Sequence, residues 1–226
     1  MARLPGTSGP AHRLPPAGVA NRTVPAGWYS RGNHEAHYRA AGKGFAPVIE
    51  KTLVIIKPDA YALGLTGEII ARFERAGLKL EQLRVSAGEN ETLGNHYPRD
   101  EGWLGSVGQK TLDDLQRVGL SVMEQLGTDD AVAIGRIVRG WLIDFMQSGP
   151  IVPMAISGNR AVEKVRNLVG STLPIMADPG TIRGDYSSDS ADIANSEGRP
   201  VRNLIHASGD LDEAARELKL WFPGEA

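Results

Sequence analysis

The sequence predicts an α/β fold of the α+β sandwich kind, in which a four-stranded antiparallel sheet is assembled from split β-α-β units and covered by helices on one face. Two observations predict it. Four short apolar runs, at about 51–56, 78–85, 151–156 and 202–207, have the length of strands. The first and second, and the third and fourth, are separated by segments whose apolar residues recur at helical spacing, and such alternation with long crossovers marks split β-α-β architecture.

Each element has a local reason. Lys51-Thr52-Leu53-Val54-Ile55-Ile56 is a β-branched apolar run suited to a strand buried on both faces, and it stops at Lys57-Pro58-Asp59. Thr66 is placed to cap a helix with Ile69, Ile70, Phe73 and Ala76 inward and Gly77 as its stop. Leu78, Leu80, Leu83 and Val85 alternate loosely as a second strand, and residues 92–97 read as a short helical turn closed by Pro98. From Arg99 to about Ala133, Trp103, Leu112, Leu115, Val118, Val122, Met123 and Leu126 indicate a helical excursion punctuated by glycines. Ile134, Ile137, Val138, Trp141, Leu142 and Phe145 then form a stripe that one helix lays against the core. Ile151–Ile156 is the third strand, with Pro153 suggesting an edge or a bulge, and Val162, Val165, Leu168 and Val169 define the helix after it. Ser171–Arg199 reads as a long ordered loop. Arg202–Ala207 is the fourth strand, and Asp210 with Glu213 opens a last helix whose inward face is Leu211, Ala214, Ala215 and Leu218.

Composition narrows the class. The chain has 226 residues, 41% hydrophobic and 23% charged, enough for one sizeable core. A formal net charge of -2 argues against a chain built mainly to coat nucleic acid. The absence of cysteine excludes disulfides and thiolate zinc sites, and no apolar run approaches a membrane span or a secretory signal, so a cytoplasmic location is expected. Residues 1–48 read as a disordered, basic extension rich in Pro, Gly and Arg. Pro5, Pro10, Pro15 and Pro16 argue against a transit helix, and His34 and His37 are two metal-ligand types without a third.

The polar residues that stand out are Lys57 closing the first strand, Tyr97, Arg166, Thr172, Arg183, and Asn203 with His206 on the last strand. Three cations, three neutral hydrogen-bonding groups and a histidine suit a polyphosphate. No Walker A loop, dinucleotide fingerprint or protein-kinase signature occurs, so side chains would have to hold a nucleotide. His206, which follows an apolar pair and precedes small residues, reads either as a nucleophile or as a core histidine bonded to a carbonyl.

These residues lie in stretches that resemble one family. Lys57-Pro58-Asp59, Gly67-Glu68-Ile69-Ile70, His96-Tyr97, Ser148-Gly149-Pro150, Pro179-Gly180-Thr181-Ile182-Arg183-Gly184-Asp185 and Asn203-Leu204-Ile205-His206-Ala207-Ser208 look like the motifs of nucleoside diphosphate kinases, in that family's order, over about Lys51–Phe222. The resemblance implies a ferredoxin-like βαββαβ sheet and a ping-pong transfer in which His206 takes the terminal phosphate of a nucleoside triphosphate such as ATP or GTP and passes it to a diphosphate. It further implies that Lys57 and Asn203 bind the ribose hydroxyls, with Lys57 also near the phosphates. Arg166, Thr172 and Arg183 would bind the β- and γ-phosphates, Tyr97 would lie beside the transferred group, and Glu217 with Ser208 would orient the histidine. Mg2+ would arrive on the nucleotide, and the assembly would be a homo-oligomer, a hexamer or a tetramer. The alternative on the same scaffold is a catalytically silent nucleotide-binding or interaction protein.

The chain departs from the pattern in a helical insertion at about 99–133 and a loop insertion at about 187–198. The first leaves the base-stacking residue open. Counting back from Ser148 reaches Val138, whereas Trp103 and Trp141 are better platforms.

Overall fold

The computed structural model describes residues 48–117 and 119–224. The basic extension with His34 and His37 lies outside the described residues, as does Val118.

The sheet is formed by β1 (Ile49–Ile56), β2 (Lys79–Leu83), β3 (Val152–Asn159) and β4 (Ile205–Ala207), in the order β2-β3-β1-β4 with every pairing antiparallel. This is the ferredoxin-like arrangement. β1 is central because its residues are apolar on both sides: Leu53, Val54, Ile55 and Ile56 are all fully buried. Val54 and Ile56 pack with Ala60 of α1 (Pro58–Ala62), with Ile69 and Phe73 of α2 (Thr66–Arg75) and with Val165 of α7 (Ala161–Val169). Leu53 and Ile55, pointing the other way, pack with Leu93 of α3 (Asn90–His96), Met146 of α6 (Ala131–Gln147) and Trp221 of α10 (Leu211–Trp221). The sheet is therefore covered on both faces, not one. At about 1.5–3 kcal/mol per fully buried aliphatic side chain, leaving either face open would forfeit several kcal/mol.

Other expectations shift in detail. Thr66 is the first residue of α2 rather than its cap, and the capping position is Leu65, without a side-chain bond. β2 stops at Leu83, and Leu83 and Val85 are exposed because β2 is an edge strand. Pro153 sits in an interior strand. Its carbonyl accepts from the amide of Arg84, just past the end of β2, so its missing N–H faces the side where the neighbouring strand has already ended. Only Ile205–Ala207 pairs as β4, because Leu204 turns the chain with φ of 69°.

Between β2 and β3, α4 (Glu101–Arg117) and α6 form an antiparallel pair, with the short α5 (Val122–Leu126) between them. Two glycines set their approach. A Cβ on Gly108 would fall 1.7 Å from the carbonyl oxygen of Ala131, and one on Gly135 would fall 2.1 Å from that of Leu104. The backbones touch where no side chain fits. Of the predicted α6 stripe only Ile134 is fully buried, the other positions being half-buried, with Val138, Trp141 and Leu142 along the cleft described below.

Ser171–Arg199 is not an unbroken loop. It holds a 3-10 turn (Pro174–Met176), α8 (Ile182–Tyr186) and α9 (Ala191–Ser196), with Leu173, Ile182, Ala191 and Ala194 buried. The last helix turns inward Ala214, Glu217 and Trp221, while Leu211 and Ala215 are exposed. Asp210 accepts from the amide of Glu213 as the capping pattern requires, and the Glu213 carboxylate returns to the amide of Gly209.

Candidate active site

A cleft of about 950 Å³ lies between the α4/α6 pair and the sheet end that carries β4. Of the nine residues singled out from the sequence, eight line it: Lys57, Tyr97, Arg166, Thr172, Arg183, Asn203, His206 and Glu217. Ser208 is fully buried immediately behind.

His206 is placed by β4, paired opposite Ile55 of β1, with its side chain 18% exposed. Its Nε2 lies 2.9 Å from Glu217 Oε2, which also accepts from Ser208 Oγ at 2.7 Å. A carboxylate can only accept, so Nε2 carries the proton and Nδ1 keeps the lone pair. Burial, then the charge of Lys57, lowers the His206 pKa to about 3, which keeps the ring neutral near pH 7. Glu217 is 1% exposed, and burial raises its pKa. On its other oxygen it meets His96 Nδ1 at 3.2 Å and Arg216 Nη2 at 3.5 Å.

His96 had entered the sequence reading only as part of a dipeptide. The structure sets its ring edge-on to His206, centroids 4.6 Å apart, and beside Trp221, whose Nε1 lies 3.3 Å from His96 Nδ1. Burial, then the proximity of His206, lowers its pKa to about 3. Tyr97 follows directly. It ends α3, its carbonyl accepts from Arg139 Nε at 2.6 Å, and burial pushes its hydroxyl pKa upward.

The cations are held by backbone and amide oxygens. Lys57 Nζ donates to Asn203 Oδ1 at 2.7 Å, and Asn203 Nδ2 donates to the Thr172 carbonyl at 2.9 Å. Arg183 donates to the carbonyls of Asn203, Gly170 and Ile205 at 3.0, 3.0 and 2.7 Å. That use of a guanidinium fork fixes the turn at Leu204 on which Asn203 and His206 are hung, and leaves two of its five N–H groups free. Burial, then repulsion from neighbouring cations, lowers the pKa of Lys57 to about 8 and that of Arg183 to about 10. Arg166 sits exposed in the last turn of α7.

Sequence reasoning missed Lys110. It extends from α4 to donate from Nζ to Thr172 Oγ1 at 2.9 Å. A signal for it existed, since Trp103, Val107, Lys110 and Asp114 recur at helical spacing and all line the cleft. Among the described residues, none of Lys57, Lys110, Arg166 and Arg183 lies within 4.0 Å of a carboxylate. Four cations without a carboxylate at ion-pair distance stand around a neutral histidine, in a cleft that Asp113, Asp114 and Glu213 also line.

The model of the family described as nucleoside diphosphate kinase matches residues 50–140 and 140–226. The chain belongs to the nucleoside diphosphate kinase family. It is 54% identical over 177 residues to the nucleoside diphosphate kinase of Pyrobaculum aerophilum, covering 78% of this chain and 97% of that one. With that of Streptomyces coelicolor it is 38% identical over 177 residues, covering 77% and 97%. The crystal structure of the Pyrobaculum NDP kinase superposes with a TM-score of 0.75 at 52% identity, covering 78% of this chain and 97% of that one. The Borrelia burgdorferi enzyme, solved as a transition-state mimic with vanadate and ADP, gives 0.62 at 31% identity, covering 79% and 90%. The reaction of this chain is accordingly phosphoryl transfer between nucleoside triphosphates and nucleoside diphosphates, and its fold is the family's. Among the described residues no helix is long and apolar enough to cross a membrane.

Proposed function

We propose that the transfer runs through a phosphohistidine formed on Nδ1 of His206. The observation that carries this reading is the 2.9 Å bond from Nε2 to the buried Glu217, set in a cleft with four cations that lack carboxylate partners. The Nδ1 lone pair forms a bond to the terminal phosphorus as the bond from phosphorus to the bridging oxygen breaks, and the diphosphate leaves with that electron pair. In the second half-reaction a terminal oxygen of another nucleoside diphosphate attacks the same phosphorus and returns the lone pair to Nδ1. The Nε2 proton stays shared with Glu217 throughout, so no proton need leave the ring. Catalysis is then electrostatic positioning of a spreading negative charge.

In this reading Lys57, Arg166, Thr172 and Arg183 hold the phosphates, Asn203 and Lys57 the ribose hydroxyls, and Tyr97 flanks the transferred group. Ser208 fixes Glu217. Trp103, Val138, Trp141 and Leu142 are half-buried and line the same cleft, a surface that grips a base by its faces and tolerates any base. Among the described residues the clustered metal-ligating side chains are His96, His206 and Glu217, two imidazoles and a carboxylate, which is not the oxygen set magnesium prefers. Mg2+ is therefore expected to ride on the substrate phosphates, where it neutralises their charge. A cytoplasmic homo-oligomer, hexamer or tetramer, is the expected assembly. The helices α4 and α5, and the stretch 187–198 with α9, are read as insertions into the family pattern.

Incubation with ATP labelled on its terminal phosphate is expected to give an acid-labile phosphoprotein that a nucleoside diphosphate discharges, and a His206→Ala variant should give none. Normal turnover by that variant would overturn the reading.

A further inference from the structure

We infer that Lys110 is a phosphate-binding residue for the known reaction, a fourth cation that the α4 wall adds to the cleft and that engages the nucleotide beyond its first phosphate. The assignment rests on the reading of the cleft just given.

Lys110 lies in a stretch where no motif of the sequence falls, yet the α4/α6 pair brings its ammonium to Thr172, on the far side of the cleft, at 2.9 Å. A hydroxyl oxygen is a weak partner for a full charge. Arg166, Arg183 and Lys57, which line the cleft along with Arg117 and Arg199, act on the same space, and Lys110 has no carboxylate within 4.0 Å. Asp114, one turn along α4, is paired with Arg117 at 3.0 Å and acts on Lys110 only from beyond that distance. A lysine with a flexible four-carbon stem would swing to water unless something favoured this place. A second negatively charged phosphate would do so, one ammonium N–H staying on Thr172 while the other two turn to phosphate oxygens. Thr172 Oγ1 accepts from Lys110 and has a hydroxyl proton to donate, so the two side chains form a single grip. The rigidity of the wall supports the role, because Gly108, two residues before Lys110, is in backbone contact with Ala131 and fixes where the stem begins.

The test compares ADP and AMP binding, followed by tryptophan fluorescence, in the full-length protein and in Lys110→Gln and Lys110→Arg variants. Lys110→Gln is expected to weaken ADP about tenfold or more, the scale of one hydrogen bond to a charged group, and to leave AMP within about twofold. Lys110→Arg should recover most of the ADP affinity, since it restores charge but not stem geometry. In steady state the glutamine variant should show the loss in KM for the nucleotides more than in kcat. Equal weakening of AMP and ADP, or ADP binding unchanged in Lys110→Gln, would overturn the assignment while leaving the His206 reading intact. Failure of the unmodified protein to bind ADP would overturn both. A thermal melt of Lys110→Gln within a few degrees of the parent is expected from its exposed position, and it separates lost binding from lost folding.

Discussion

Replacing Glu217 by Gln removes one charge from behind the proposed nucleophile while keeping its shape. The carboxylate is 1% exposed and receives the His206 Nε2–H at 2.9 Å and the Ser208 hydroxyl at 2.7 Å. The amide oxygen can still accept both, so the tautomer that leaves Nδ1 free is retained. What is lost is the charge assistance. Hydrogen bonds to charged groups contribute about 1.5–3 kcal/mol and neutral ones about 0.5–1.5, a difference of roughly 1–1.5 kcal/mol per bond. Only the bond to His206 strengthens as the ring gains a phosphoryl group, and it does so away from solvent. The expected effect on the barrier is about 1–2 kcal/mol, or roughly five- to thirtyfold in rate. Rapid-quench measurement of phosphoenzyme formation with excess labelled ATP reads this step alone. A rate within about twofold of the parent would refute the idea that Glu217 acts by its charge. Total loss in a folded variant would refute the idea that it only tunes the ring.

Two further perturbations follow from the geometry. Gly135→Ala drives a methyl group to 2.1 Å from the Leu104 carbonyl, a backbone atom that cannot step aside, so the expected cost is at least about 3 kcal/mol and a fall in Tm of roughly 6–12 °C. Gly140→Ala, on the same helix with nothing within 4 Å, should instead raise stability by about 0.5–1 kcal/mol, and calorimetry on the pair checks both. Lys57, lowered to about 8 by burial and neighbouring cations, is only partly protonated at pH 8, and a bound phosphate raises its pKa again. ADP binding at pH 8 should therefore take up roughly half a proton, with uptake vanishing towards pH 6, where Lys57 is already charged. Titration calorimetry in buffers of different ionisation enthalpy measures this, and proton release would contradict it.

The legible parts of the sequence were those in which chemistry and local pattern coincide. The run at Leu53–Ile56 is apolar at every position, which only a strand covered on two faces tolerates, and it was located to within two residues. The His206 heptad stood out because a polar residue that could react followed an apolar pair, and the structure sets that residue in the cleft. The α4/α6 wall was not, because its register depends on Gly108 and Gly135, residues that carry no hydrophobic signal and work by being absent from the space between two backbones. The inward face of α10 was misread for a related reason. Counting apolar residues favoured Leu211 and Ala215, whereas the helix is rotated to turn in a carboxylate, Glu217, which pairs with a histidine from another element. Periodicity cannot see a partner that comes from elsewhere in the chain.

The four cations without carboxylate partners bear on the energy levels of the whole cycle. Without nucleotide their mutual repulsion is offset only in part, by Asp59 and Asp114. Nucleotide supplies the missing counter-charge, but so, in the proposed cycle, does a phosphoryl group on His206, which leaves a dianion in the same place after the diphosphate has gone. The intermediate thus inherits part of the relief that the substrate brought and does not climb back to the level of the empty protein. A transfer whose two bound states are levelled in this way runs with similar ease in either direction, and the direction in use is then set by which nucleotides surround it.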